Sequence, residues 1–165
     1  MGTLVGSSFE TGGAPQRVAV NETAGLVYVT AWDNTVVIFN DETGAYLGGS
    51  LGAASFITGN FVRAVAVHPG ENILYAGSLG GQDVVRYNAT TGAYVDTDLA
   101  TSSTAVGGSC FGAAVNTAED ILYVTATSVD AIVYLDALTG GYLFGTLEAS
   151  SFTTGGLPYA IAVSD

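Results

Sequence analysis

Two of the three arginines, Arg17 and Arg63, fall in the same column at the start of successive Ala-Val runs, a column held by Phe111 and Tyr159 in the next two repeats, and they are the first candidates for chemistry in a chain that has no lysine. Two guanidinium groups side by side would grip a carboxylate through paired N–H donors, or each would pair with an Asp or Glu of the chain. Trp32 and Asp33 follow the apolar run 26–31. The indole offers a flat face for a sugar ring or for a neighbouring segment, and the carboxylate could accept hydrogen bonds from the same ligand. Arg17, Arg63, Trp32 and Asp33 therefore form the candidate binding set. Asp83 and Asp130 stand in roughly similar loops, but their offsets differ and nothing resembles a DxDxDG calcium loop. They read as loop residues. His68 is the only histidine, without HxH or HExxH spacing, and falls in the turn His68-Pro-Gly-Glu71. It reads as a turn residue and not as a metal ligand. Cys110 is the only cysteine and lies in an apolar run, so it reads as a small buried hydrophobe. No GxSxG elbow and no Gly-rich loop followed by Lys-Ser/Thr occurs. No catalytic set, metal or cofactor is implied.

Asn21-Glu-Thr23 and Asn88-Ala-Thr90 are sequons. Glycans on both would decorate one end of the molecule, and they are the basis for expecting an extracellular or cell-surface setting. The charge balance narrows the partners further. Fifteen Asp and Glu against three Arg give a net charge of −12, which leaves no basic stripe to follow a phosphate backbone. Nucleic acid is thereby excluded as a partner. No run of 18 apolar residues exists to span a bilayer as a helix. Hydrophobic residues make up 48% of the 165 and charged ones 11%, a balance that folds and does not stay disordered.

These residues must be positioned by a repeat. Thr43-Gly44, Thr91-Gly92 and Thr139-Gly140 recur at 48 residues, each followed by Tyr46, Tyr94 or Tyr142. Tyr28, Tyr75 and Tyr123 close a second column, and Val20, Val67, Val115 and Val163 a third. Within each period the β-branched and aromatic runs are four to seven residues long, bounded by Gly, Asn, Asp and Thr, which predicts strands. Four per repeat are expected: a (16–20, 62–67, 111–115, 159–163), b (26–31, 73–78, 121–126), c (35–40, 83–88, 131–136) and d (2–6, 45–51, 93–99, 142–148). In the c–d connections an Asx side chain opens the turn and glycine closes it in the left-handed region. The b runs, such as Ile73-Leu-Tyr-Ala76, are continuously apolar and predict burial on both faces.

Four-stranded antiparallel sheets, repeated at about 48 residues and covered on both faces, describe the blades of an all-β β-propeller. A stacked solenoid is the alternative. One propeller segment over 1–165 is expected, with a partial blade about 1–13 (strand d), repeats about 14–59, 60–107 and 108–155, and a partial blade 156–165 (strand a).

Val27-Tyr-Val-Thr30 followed by Asn34-Thr-Val-Val-Ile-Phe-Asn40, and Ile121-Leu-Tyr-Val-Thr125 followed by Ile132-Val-Tyr-Leu-Asp136, resemble the YVTN and NHL classes of propeller repeat. Ser8-Phe9-Glu-Thr-Gly12, Ser55-Phe56-Ile-Thr-Gly59 and Ser151-Phe152-Thr-Thr-Gly155 resemble the NHL connection between blades, with Thr104 in place of the Phe in the remaining repeat. The Asp usual after the Ala-Val strand is replaced by Asn21, His68, Asn116 and Ser164. The group includes scaffolds, adhesion and cell-surface proteins and some enzymes, so the resemblance implies an architecture and leaves the activity open.

Three and a half blades are too few to close a ring. The expected partners are therefore the remaining blades of a longer chain or further copies of this one, besides glycans. The expected function is a non-enzymatic structural or protein-binding scaffold, able to self-assemble, filaments included. The alternatives are a propeller that binds carbohydrate or a small anion, and part of a lactonase or strictosidine-synthase-like hydrolase whose catalytic groups lie elsewhere.

Overall fold

The computed structural model describes residues 11, 13–47, 55–57 and 61–164. Among them are three four-stranded antiparallel sheets in simple chain order. The first is β1 (Pro15–Asn21), β2 (Leu26–Ala31), β3 (Thr35–Asn40) and β4 (Ser55–Ile57). The second is β5 (Val62–His68), β6 (Ile73–Ser78), β7 (Asp83–Asn88) and β8 (Ser103–Ala105). The third is β9 (Cys110–Asn116), β10 (Ile121–Ala126), β11 (Ala131–Asp136) and β12 (Ser151–Thr153). In the three repeats strands a, b and c form where expected, because their β-branched and aromatic runs suit a pleated, half-buried surface.

Strand d is a correction. After the Thr-Gly turn the chain makes one bridge to strand c, at Phe39–Tyr46, Tyr87–Tyr94 and Leu135–Tyr142; in the second and third repeats it then leaves the sheet, and in the first, residues 48–51 lie outside the described residues. In the second repeat the excursion is fixed by a short helix, α1 (Leu99–Ser102). Asp98 caps it by accepting from the Thr101 N–H at 2.9 Å, and Thr101 returns the bond by accepting from the Asp98 N–H at 3.2 Å. The outermost strand is formed by the segments expected to be linkers. Ser55–Ile57, Ser103–Ala105 and Ser151–Thr153 pair with the first half of strand c, and Phe56, Thr104 and Phe152 sit opposite Val36, Val84 and Ile132. The Phe-to-Thr change at Thr104 therefore lies inside a strand. The trailing residues 159–163 are not strand-paired, whereas the leading strand d at 2–6 lies outside the described residues.

The turns form as expected. Asn40 Oδ1 accepts from the Thr43 N–H at 2.8 Å and from its hydroxyl at 2.7 Å, while Gly44 takes φ +68°. Asn88 and Asp136 repeat this with Thr91 and Thr139. The a–b turns share a second device. Asn21 Oδ1 accepts from the Ala24 N–H, His68 Nδ1 from the Glu71 N–H, and Asn116 Oδ1 from the Ala118 and Glu119 N–H groups. His68 is thus the imidazole version of an Asx cap.

The sheets pack face to face. Leu26, Tyr28, Val36 and Ile38 of the first meet Val65, Leu74, Val85 and Tyr87 of the second. The opposite face of the second sheet, with Ala64, Ile73, Tyr75 and Val84, meets Leu122, Val124, Val133 and Leu135 of the third. Polar bonds cross the second boundary: the Tyr75 hydroxyl donates to the Ala137 carbonyl at 2.7 Å, and the Thr104 hydroxyl to that of Gly140 at 2.8 Å.

Candidate functional site

The first strands of the three sheets, β1, β5 and β9, adjoin in turn and are called the inner strands; each carries a register irregularity at its start, between Pro15 and Arg17, between Val62 and Ala64, and where Cys110 and Ala113 pair with Ala126 and Val124. This corrects the alignment of the two arginines. Arg17 pairs with Thr30, the position filled by Ala64 opposite Gly77. In the third sheet Gly112 answers to it, its N–H bonded to the Thr125 hydroxyl as that of Arg17 is to Thr30. Arg63 is the extra residue of its irregularity, matching Gln16 and Phe111. A one-residue offset in a strand sends side chains to opposite sides, so Arg17 and Arg63 do not form a matched pair.

The structure gathers Arg63 and Trp32 instead. The Arg63 guanidinium carbon lies 4.4 Å from the Trp32 ring centroid and 5.4 Å from that of Phe111. Phe111 in turn meets Tyr159 edge-on at 4.7 Å, and Trp32 meets Phe61 at 5.8 Å. The result is a row, Trp32–Arg63–Phe111–Tyr159, built from the starts of successive inner strands and the β2–β3 loop. Trp32, Phe61 and Tyr159 are each about half exposed. Each cation–π contact in such a setting is worth about 0.5–1 kcal/mol. Arg63 enters no ion pair among the described residues, and its Nε is buried there without a hydrogen-bond partner.

Arg17 points elsewhere. Its Nη1 donates to the Gln16 carbonyl at 2.9 Å, and it lines a pocket of about 170 Å³ with Val18, Val65, Gly112, Ala113, Ala160 and Ile161. Residues from all three inner strands and from the trailing segment surround this space. Its volume is well below the ~300 Å³ at which small-molecule sites begin.

Asp33 serves its loop: Oδ1 accepts from the Thr35 hydroxyl at 2.6 Å and Oδ2 from the Gly13 N–H at 3.3 Å. Asp83 accepts from the Ser103 hydroxyl at 2.8 Å, and Asp130 from the Leu157 N–H at 2.6 Å. The three loop carboxylates are thus separately committed. Among the described residues no three of His, Cys, Asp and Glu converge as metal ligands would.

His68 is the last residue of β5 and is 4% exposed. Because its Nδ1 accepts from Glu71, the proton sits on Nε2, which donates to Asp120 Oδ1 at 2.9 Å across the sheet boundary. Asn21 is 1% exposed and its amide oxygen is held in its turn, so glycosylation at Asn21 conflicts with the folded turn. Asn88 is half-buried, with its oxygen accepting from Thr90 and Thr91.

Arg86 is the residue that sequence reasoning missed. It is 5% exposed, yet it donates from Nη2 to Asp96 Oδ2 and from Nη1 to the Leu138 carbonyl, both at 2.5 Å. Its signal was present in Val84-Val85-Arg86-Tyr87, where a cation inside an apolar strand demands partners. The partners lie 10 and 52 residues away.

No protein-family model matches the chain, and no curated protein does. Among solved structures, Kuenenia stuttgartiensis hydrazine synthase is similar with a TM-score of 0.72 and 14% sequence identity. The match covers 89% of this chain and 38% of that one. At that identity the likeness concerns the fold. With 954 chains of solved structures matching, the fold is widespread and carries no particular activity.

Proposed function

We propose that the chain is a non-enzymatic structural and interaction element of β-propeller type, whose sheet faces are completed by further protein. One contrast carries this reading. In the second sheet, strand b (Ile73–Ser78) is buried throughout and strand c (Asp83–Asn88) at every central position. In the third, Ile121, Tyr123, Ile132 and Tyr134 stay half-exposed while Leu122, Val124, Val133 and Leu135 are buried. Both sheets have the same continuous apolar runs, which alternation would have replaced if one face were meant for water. Phe144 and Phe152, 59% and 43% exposed, widen the same apolar area. Covering four such half-exposed side chains is worth roughly half of the ~1.5–3 kcal/mol that full burial brings to each, which favours association against the repulsion of a net charge of −12. An extracellular or cell-surface setting belongs to the proposal, supported by the Asn88 sequon alone.

Sedimentation velocity with negative-stain imaging tests it. Closed discs, rods or discrete oligomers are expected, with association strengthened by salt as charge repulsion is screened. A strictly monomeric 16.6 kDa species at all concentrations, binding no protein, would overturn it.

A further inference from the structure

The open face of the third sheet is not bare along its whole width. Residues 158–164 run beside β9: a Cβ placed on Gly112 would lie 3.0 Å from the Ala160 Cα, 3.1 Å from the Tyr159 carbonyl oxygen and 3.3 Å from the Ile161 nitrogen. The Thr127 hydroxyl donates to the Pro158 carbonyl, and Phe111 stacks edge-on against Tyr159. Tyr159 follows Phe111 by the same 48 residues that separate Phe111 from Arg63. The segment thus stands to β9 as β9 stands to β5, as the innermost strand of a further layer. Among the described residues, no main-chain hydrogen bond joins 158–164 to a strand. A segment whose main-chain N–H and C=O groups at 159–163 pair with no strand is a template for strand addition.

Resting on the interaction reading above, we infer that this face takes a two-stranded antiparallel β-hairpin of apolar sequence. Its first strand adds to the free edge of 159–163, and both strands cover Tyr123 and Tyr134. The internal boundary supplies the docking pattern. There β10 and β11 cover the second sheet, with Tyr75 donating to the Ala137 carbonyl and Arg86 to that of Leu138. On the open face Tyr123 holds the place of Tyr75, so its hydroxyl is the donor for the carbonyl that ends the incoming second strand. Tyr134 and Phe152 hold the places of Arg86 and Thr104, which makes the rest of the contact apolar. A hairpin with small or branched apolar residues at alternate positions and no excess negative charge fits. The chain's own segment 72–89 has that composition, with Asp83 and Arg86 as its only charges.

The test adds a fluorescent synthetic peptide of sequence 72–89 to the full chain. Saturable binding by anisotropy is expected, with slowed amide exchange at 159–163. Tyr134→Asp and, independently, Ala162→Pro weaken binding by at least about tenfold, while Val18→Asp on the opposite outer sheet leaves it unchanged; circular dichroism verifies that each variant folds. Absence of saturable binding, or binding indifferent to Tyr134→Asp and Ala162→Pro, overturns the inference. If the chain instead self-associates through Tyr134 and the peptide does not compete, the occupant is a second copy and the interaction reading survives. A monomer that binds neither peptide nor protein overturns both.

Discussion

Gly140 lies directly against Arg86: a Cβ at residue 140 would sit 2.6 Å from the Arg86 Nε and 3.1 Å from its guanidinium carbon. Gly140 also has φ +73°, so two separate costs fall on one position. Left-handed backbone costs a non-glycine residue about 1–2 kcal/mol, and the contact must push aside a buried guanidinium held by Asp96 and Leu138. Gly140→Ala is therefore expected to destabilise the chain by about 2–4 kcal/mol. Gly145→Ala, at φ +85° with nothing within 4 Å of its Cβ, should cost only the backbone part. Urea midpoints of the two variants measure the difference, and equal losses would show that Arg86 yields freely.

Asp136 occupies the turn position that Asn40 and Asn88 fill in the other repeats. The Thr139 main-chain N–H holds its carboxyl below the usual carboxylate range, helped by the Thr139 hydroxyl, the Leu138 N–H and the Arg86 charge, against partial burial. A depressed folded value means that the stabilisation is present above the unfolded value of about 3.9 and fades as pH falls through the folded one. Because the group is well solvated, the effect is below about 1 kcal/mol. Asp136→Asn should preserve the turn and flatten this part of the acid limb, while Asp136→Ala should cost about 1 kcal/mol at neutral pH. Thermal unfolding across pH 2–6, an interval of roughly two units either side of the reference value, separates the two outcomes.

The thiol of Cys110 is fully buried, next to Ala64 across Gly77, and burial, reinforced by the Asp83 charge, pushes its pKa strongly upward. Thiolate reagents should label it only as fast as the inner strands open. Labelling in native buffer is expected to be slow and to accelerate along the urea unfolding curve. Rapid labelling of the folded chain would place β9 outside the stable core.

What the sequence disclosed, and what it withheld, follows from the range of each interaction. The Asn40, Asn88 and Asp136 turns were legible because every bond is made within four residues. Strand b was legible because its apolar run is intrinsic to the segment. The outer strand was misassigned because Tyr46, Tyr94 and Tyr142 do begin to pair, and nothing local says that pairing stops after one bridge. Ser151-Phe152-Thr153 looks like a connection until its partner Val133-Ile132-Ala131 is known. The likeness of Arg17 and Arg63 failed for a related reason. Arg63 matches Gln16 and not Arg17, and that one-residue offset is visible only in the pairing with β2 and β6. Burial of Asn21 depends on its turn, which the triplet Asn-Glu-Thr does not reveal.

Trp32 is the only tryptophan, so indole fluorescence reports one place in the chain, the ring shared by Arg63 and Phe61. The guanidinium carbon sits 4.4 Å from the indole centroid while the ring is 47% exposed, which places a fixed positive charge beside an accessible quencher site. An anionic quencher is concentrated near such a charge and a neutral one is not. Iodide should therefore quench Trp32 more efficiently, relative to acrylamide, than the net charge of −12 alone would allow. In Arg63→Gln the iodide constant should fall while the acrylamide constant stays or rises, since Phe111 no longer shares a cation with the indole. The loss in stability should be about 0.5–1 kcal/mol. Unchanged iodide quenching would mean that the guanidinium charge is screened from solvent by its aromatic neighbours, and would remove Arg63 from any account of anion binding at this end of the molecule.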